Sequence, residues 1–113
     1  MDAHGCDADA LRDSIRLSAL FERLVVDLQL TVIGAPLWHR FPAPGGLTGL
    51  ALLSESHLTL HTFPELGFAA LNVYCCRIRP TPDFGALLRG QLGARDVTVR
   101  TLPRGEAAQG IAP

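Results

Sequence analysis

The feature that most constrains the fold is a run of short β-rich segments in the middle of the chain. Residues 47–53, 57–62 and 68–76 contain many apolar side chains and, apart from histidine, no acidic or basic ones. Three polar residues separate the first two segments, and a turn at 64–67 with a proline and a glycine separates the second from the third. Links this short favour antiparallel pairing, because a parallel crossover needs about a dozen residues or more. The centre of the chain is therefore predicted to form an antiparallel sheet.

The middle segment shows the alternation of a strand that is buried on one side only. His57, Thr59 and His61 fall on one face, and Leu58 and Leu60 fall on the other. Successive side chains of a strand point to opposite faces of the sheet, so the leucines are predicted to face the core.

Two other segments have the apolar spacing of amphipathic helices. The first follows an acidic stretch at 7–13, in which Asp7 can act as a helix cap. The second begins at 81–83, where Pro82 is predicted at the first helical position, and it runs to about Leu92. The apolar positions of the first helix are Leu17, Leu20, Phe21, Leu24, Val25 and Leu28.

Weaker strand signals lie outside the central run. Residues 31–33 are predicted to begin a strand, which Gly34 and Pro36 interrupt and which 37–41 continue. Residues 97–99 are predicted to centre the last strand. The order of helix, strands, helix and strand predicts an α+β fold, a two-layer sandwich in which helices pack on one face of a mainly antiparallel sheet.

The length of the chain favours one domain over residues 1–113, with 105–113 as a loose tail. Ten basic and eleven acidic residues give a formal charge of −1, without the basic excess of a nucleic-acid-binding protein. All ten basic residues are arginine, which excludes a lysine Schiff base and a P-loop lysine. The sequence shows neither a signal-peptide pattern nor a stretch long enough to span a membrane.

Cysteine usage bears on the compartment. The chain has three cysteines, Cys6, Cys75 and Cys76. An odd number that includes an adjacent pair is unlike a secreted disulfide framework, so a reducing, cytoplasmic location is predicted.

The most chemically reactive side chains lie at 55–61, which holds an acid, a hydroxyl and two imidazoles. Ser56 beside His57 resembles a nucleophile with its base, although neighbours in a strand point to opposite faces. His57 and His61 could instead bind a metal with a cysteine as third ligand, although their spacing suits a helix better than a strand. The residues alone leave these alternatives open.

The sequence ESHLTLHTFPE at residues 55–65 resembles the processing motif of prokaryotic S-adenosylmethionine decarboxylases. The resemblance continues through 67–76 and reaches back to 46–49 and 5–7. It implies that the chain cleaves itself between Glu55 and Ser56. The products would be a β chain of residues 1–55 and an α chain of residues 56–113.

The resemblance implies a role for each processing residue. Ser56 would attack the Glu55 carbonyl and become a pyruvoyl group, with His61 as the acid/base and the Thr48 hydroxyl assisting. The pyruvoyl group would form a Schiff base with the substrate amine and accept electrons as CO2 leaves, so no metal is implied. Cys76 is implied as the proton donor, because a thiol can give and regain a proton near neutral pH.

The resemblance also implies the substrate and the assembly. Glu65 would face the ribose hydroxyls of S-adenosylmethionine, and Phe41 would stack on its adenine, with Trp38 as the alternative aromatic residue. The product would serve spermidine synthesis, and the partner would be a second copy in a homodimer of cleaved protomers. Alternatives are a related decarboxylase of ornithine or arginine, or an unprocessed, inactive homologue with a binding or regulatory role, which Asn72 motivates because the family has Asp there.

Overall fold

A computed structural model describes residues 1–105, which form a six-stranded antiparallel sheet and three α-helices. The strand order is β2-β3-β4-β5-β1-β6. The strands are β1 (Asp2–His4), β2 (Leu37–Arg40), β3 (Leu47–Leu52), β4 (His57–Phe63), β5 (Phe68–Tyr74) and β6 (Asp96–Thr98). The helices are α1 (Ala8–Leu11), α2 (Ser14–Asp27) and α3 (Phe84–Leu92), and a 3₁₀ turn spans Pro64–Leu66.

The predicted alternation of β4 separates the two faces of the sheet. Leu58 and Leu60 are fully buried, whereas His57 and Thr59 are partly exposed and His61 is exposed. We call the face that carries these histidines the open face. The helices pack on the opposite, core face, so the predicted α+β sandwich is confirmed.

One apolar core joins the core face of the sheet to the helices. The spacing predicted for the first helix is confirmed, because the apolar stripe of α2 lies against the strands. The buried residues that form the centre of this core are Leu11, Leu17, Leu20, Phe21, Leu24, Leu47, Leu58, Leu60, Leu71, Leu88 and Leu92.

The helix boundaries differ in detail from the sequence-based predictions. Asp7 caps the short helix α1, and a separate acid, Asp13, caps α2 by accepting from two backbone N–H groups. Pro82 was predicted to be the first residue of α3, but the helix begins at Phe84. Asp83 caps that helix by accepting from the Ala86 N–H, so the proline precedes the cap.

The strands differ from the sequence-based predictions at residues 31–33 and at β1. Residues 31–33 do not form a strand, since only a single bridge pairs Val32 with Leu53. Strand β1 had no pattern of its own in the sequence, and it lies between β5 and β6. The part of the predicted loose tail beyond residue 105 lies outside the described residues. Within residues 1–105, no helix is both long and apolar enough to cross a membrane.

Replacing Thr62 with valine is expected to lower the free energy of unfolding by about 1–3 kcal/mol. The buried Thr62 hydroxyl donates to the Leu11 carbonyl at 2.8 Å and accepts from the Leu47 N–H at 2.9 Å, which ties α1 to β3 and β4. Valine keeps the shape and leaves both backbone groups without that partner. Urea unfolding measures the change, with Thr59→Val on the open face as the control. Equal stability of the two variants would contradict the prediction.

Candidate active site

The peptide bond between Glu55 and Ser56 lies in the tight turn that joins β3 to β4. The Leu53 N–H donates to the Ser56 carbonyl at 3.0 Å and closes the turn. The Ser54 N–H donates to the Thr31 carbonyl at 2.9 Å and ties the turn to the segment after α2. Both residues of the bond are partly buried. The backbone around Ser56 is thus held from two sides, which limits the positions that its hydroxyl can take.

Thr48 and His61 form a hydroxyl–imidazole pair on the open face. They are direct cross-strand neighbours in the register of β3 and β4, and the Thr48 Oγ1 lies 3.0 Å from the His61 Nδ1. When the hydroxyl donates to Nδ1, the neutral ring carries its proton on Nε2. The pair therefore presents a proton-transfer group to whatever covers this face.

His61 does not reach Ser56 of its own chain. The five residue steps from Ser56 to His61 run along an extended strand, so at about 3.3 Å per residue the two lie roughly 16 Å apart. Glu65 is farther still, exposed in the 3₁₀ turn beyond the end of β4. The predicted site residues are therefore split between the two ends of one strand.

Cys76 belongs with Ser56 at the first of these ends. β4 and β5 are antiparallel, with His57 opposite Tyr74, so the residues just after β5 run alongside the residues just before β4. An ion pair between Arg77 and Glu55 bridges the same two segments. The partly buried Cys76 thus lies beside the turn that carries Ser56.

The adjacent Cys75 has different surroundings. It packs against the apolar core, and burial raises the pKa of its thiol, an effect that nearby Arg79 only partly offsets. A buried thiol with a raised pKa is a poor source of thiolate.

The two aromatic candidates face opposite sides of the sheet. Phe41 is exposed and packs edge-on against His39, with ring centroids 5.0 Å apart. Trp38 packs against Phe21 at the core with ring centroids 4.7 Å apart and the rings tilted, and its ring covers Gly49 so closely that a Cβ there would lie 2.4 Å from it. Trp38 is therefore a core residue that does not face the open side, and Phe41 is the aromatic residue available to a ligand.

The second group of predicted site residues gathers at the far end of the open face. His39 lies opposite Thr48, which lies opposite His61, so these three form a row across β2, β3 and β4. Phe41 follows this row at the end of the sheet where Glu65 is also found. The spacing in the sequence gave no sign of His39, which joins the row only through the pairing of β2 with β3.

A cavity of about 290 Å³ opens at the Ser56 end of the sheet. Its lining includes His57, which stacks on Tyr74 with ring centroids 5.5 Å apart and lies 3.4 Å from the amide nitrogen of Asn72. Arg77 and Arg79 also line it. Nowhere in residues 1–105 do three His, Cys, Asp or Glu side chains gather as a metal site requires, so the alternative of a His57–His61–cysteine metal site has no geometric support.

Comparison with known proteins agrees with the motif. The family model described as S-adenosylmethionine decarboxylase matches residues 1–105. An S-adenosylmethionine decarboxylase proenzyme of Clostridium tetani is 36% identical over 115 residues, which cover 98% of this chain and 87% of that protein. A proenzyme of the same name, numbered 2, from Halalkalibacterium halodurans is 40% identical over 106 residues, 89% of this chain and 79% of that protein.

A solved structure shares the fold. The crystal structure of the adenosylmethionine decarboxylase from Aquifex aeolicus matches with a TM-score of 0.64 and 29% identity, over 84% of this chain and 78% of that one. The family model's match over residues 1–105 includes the turn at Ser56, the Thr48–His61 pair and the segment around Cys76. The chain therefore belongs to the S-adenosylmethionine decarboxylase family.

Proposed function

We propose that the chain is a precursor that cleaves itself between Glu55 and Ser56 and then decarboxylates S-adenosylmethionine. The observation that carries this proposal is the Thr48–His61 pair, in which a hydroxyl is held 3.0 Å from the imidazole of the processing motif. The two relatives compared above match this chain over most of their length and are named proenzymes. Both the family and the local chemistry thus favour self-processing.

Cleavage needs only water and groups that the chain itself supplies. The Ser56 Oγ attacks the Glu55 carbonyl carbon, the peptide C–N bond breaks, and the Ser56 nitrogen takes a proton, which leaves an ester. Removal of the Ser56 Cα proton then breaks the Cβ–Oγ bond, so both oxygens stay on the Glu55 carboxylate. Water replaces the nitrogen, which leaves as ammonia. Each step moves a proton, which is the work proposed for the imidazole of His61.

We further propose that a second copy of the chain completes the site. His61 lies roughly 16 Å from Ser56 of its own chain, so one protomer cannot bring the two together. Two open faces packed around a two-fold axis would place the Thr48–His61 pair of one copy at the Ser56 turn of the other. Apolar side chains are exposed on this face, as a contact between copies requires; they are Leu37, Leu50, Leu52 and Phe63.

The residues near Ser56 fit a pyruvoyl group at that position. The turn holds Ser56 partly buried directly before His57, which lines the cavity, and Cys76 lies next to the turn. A pyruvoyl group bound to the substrate amine supplies an electron sink for loss of CO2. Cys76 would then deliver a proton to the carbon that lost CO2, and the open-face stack of His57 on Tyr74 would wall the site.

S-Adenosylmethionine is the favoured substrate because the exposed residues suit a nucleoside. Phe41 offers an aromatic face for adenine, and Glu65 offers a carboxylate for the ribose hydroxyls. The product would supply spermidine synthesis. The three free cysteines fit the reducing conditions of a cytoplasmic enzyme. Ornithine or arginine would demand a carboxylate at the far end of a compact pocket.

The denatured mass of the purified chain tests the proposal. We expect two fragments, residues 1–55 and residues 56–113, the second lighter by one ammonia than a simple hydrolytic cut would give. Release of CO2 from carboxyl-labelled S-adenosylmethionine, with ornithine and arginine assayed in parallel, then identifies the substrate. A single uncut chain after long incubation would overturn self-processing and favour the inactive homologue.

A further inference from the structure

The side chain of Glu55, the residue before the proposed cut, lies between two arginines. Its Oε1 pairs with the Arg77 guanidinium at 2.5 Å, and its Oε2 lies 3.8 Å from the Arg79 guanidinium. Both arginines follow β5 and reach back to the turn between β3 and β4. We call this group of Glu55, Arg77 and Arg79 the Glu55 clamp.

Arg79 is the anchored member of the clamp. Its Nη1 donates to the Gln29 carbonyl at 3.0 Å, in the segment after α2. Gln29 has a φ of 54°, a left-handed backbone conformation that is uncommon outside glycine. The Arg79 side chain is 23% exposed, against 68% for Arg77. Because exposed ion pairs are screened by solvent, Arg79 is expected to contribute more than Arg77 to the hold on Glu55.

The contact between Glu55 and Arg79 is incomplete in the uncut chain. The Glu55 Oε2 and the Arg79 Nε are both buried, and neither has a hydrogen-bond partner among residues 1–105. Buried polar atoms are usually paired, so an unpaired acceptor and an unpaired donor on neighbouring side chains require an explanation. A small movement of Glu55 toward Arg79 would pair them.

We propose that Arg79, assisted by Arg77, is a positioning residue for self-cleavage that acts through the side chain of Glu55. The proposal rests on the proposed function, since it assumes that the bond after Glu55 is the one that breaks. The side chain and the carbonyl carbon of Glu55 share one Cα, so a force on the carboxylate orients the carbonyl that Ser56 must attack. The Glu55 Oε2 and the Arg79 guanidinium are 3.8 Å apart, so this contact can shorten as that carbon becomes tetrahedral. An interaction that is stronger in the transition state than in the resting chain raises the rate.

Timed self-cleavage of newly made chains tests this inference. Full-length chains would be made by cell-free synthesis, quenched in denaturant at intervals, and scored for the cut by mass. Arg79→Gln is expected to slow cleavage by about 10- to 100-fold, the range that misplacement of a reacting group produces. Arg79→Lys should recover part of the rate. Arg89→Gln, which removes an exposed arginine from α3, is the matched control and should cut at the natural rate.

A double-mutant cycle separates positioning from general support of the fold. If Arg79 acts through Glu55, then Glu55→Gln combined with Arg79→Gln should cut no more slowly than the slower single variant. Independent, multiplying effects would mean that Arg79 supports only the loop at Gln29, and would overturn the inference. Stability is compared in the Ser56→Ala chain, which is expected to stay uncut. If Arg79 positions Glu55 without holding the fold together, adding Arg79→Gln should leave the urea midpoint of unfolding nearly unchanged.

The outcomes also distinguish this inference from the proposed function. If the natural chain does not cut, self-processing fails and the inference fails with it. If the natural chain cuts and Arg79→Gln cuts at the same rate, only the positioning role is wrong.

Discussion

The Ser56→Ala chain is expected to remain whole and to release no CO2 from S-adenosylmethionine. Alanine lacks the Oγ that attacks the Glu55 carbonyl, and no other hydroxyl occupies the same place in the turn. Cleavage and decarboxylation should therefore be lost together, because the second depends on the group that the first creates. Denatured mass and labelled CO2 release measure both losses in one preparation.

Ser54→Ala is the matched control for this variant. Ser54 lies on the other side of Glu55 in the same turn, and its backbone N–H, which alanine retains, makes the bond to the Thr31 carbonyl. This control should cut and decarboxylate as the natural chain does. Fragments from Ser56→Ala with a cut before residue 56 would contradict the proposed nucleophile.

Replacing Cys76 with alanine is expected to leave self-cleavage intact and to lower the rate of decarboxylation by about 10²- to 10⁴-fold, the usual contribution of a general acid. Cys76 lies beside the Ser56 turn, while the proton transfers of processing are assigned to His61. The two reactions should therefore separate in this variant. Mass after purification reports cleavage, and labelled CO2 release reports turnover.

Cys75→Ala distinguishes the two adjacent cysteines. The Cys75 thiol is packed against the core, where burial raises its pKa. Its loss should affect stability more than turnover, and its CO2 release should stay within a few-fold of the natural rate. The reverse pattern, an active Cys76→Ala chain and an inactive Cys75→Ala chain, would show that the proton donor was assigned to the wrong cysteine.

The sequence pattern alone predicted the elements whose apolar residues recur at a regular spacing. The alternation around Leu58 and Leu60 predicted both faces of β4, and helical spacing predicted α2. Strand β1 was missed because three residues are too few to show an alternation, and it forms only by pairing with distant positions such as Ala70 and Thr98. At the start of α3, the sequence favoured Pro82 as the first helical residue, whereas the structure begins the helix after Asp83, whose side chain caps it.

The sequence named the candidate site residues but did not show how they are arranged. Ser56 and His61 are close in sequence, but an extended strand turns five residues into a long separation. The Thr48–His61 pair depends on the register of β3 against β4, which the sequence does not display. The sequence did not indicate Arg77 and Arg79, because they reach Glu55 only after the chain has reversed between β4 and β5.

The strand order has a consequence for the protein that the proposed cleavage would produce. Strands β2 and β3 precede the Glu55–Ser56 bond, β4 and β5 follow it, β1 precedes it and β6 follows it, so the two sides of the cut interleave across the sheet. Each piece keeps only one two-stranded pair, β2 with β3 or β4 with β5, and the six-stranded sheet needs both pieces. The precursor folds in a first-order reaction, whereas two separated pieces could rejoin only by collision. Refolding after the cut would thus be a bimolecular reaction. The fraction of protein recovered after heat denaturation would fall as the protein is diluted.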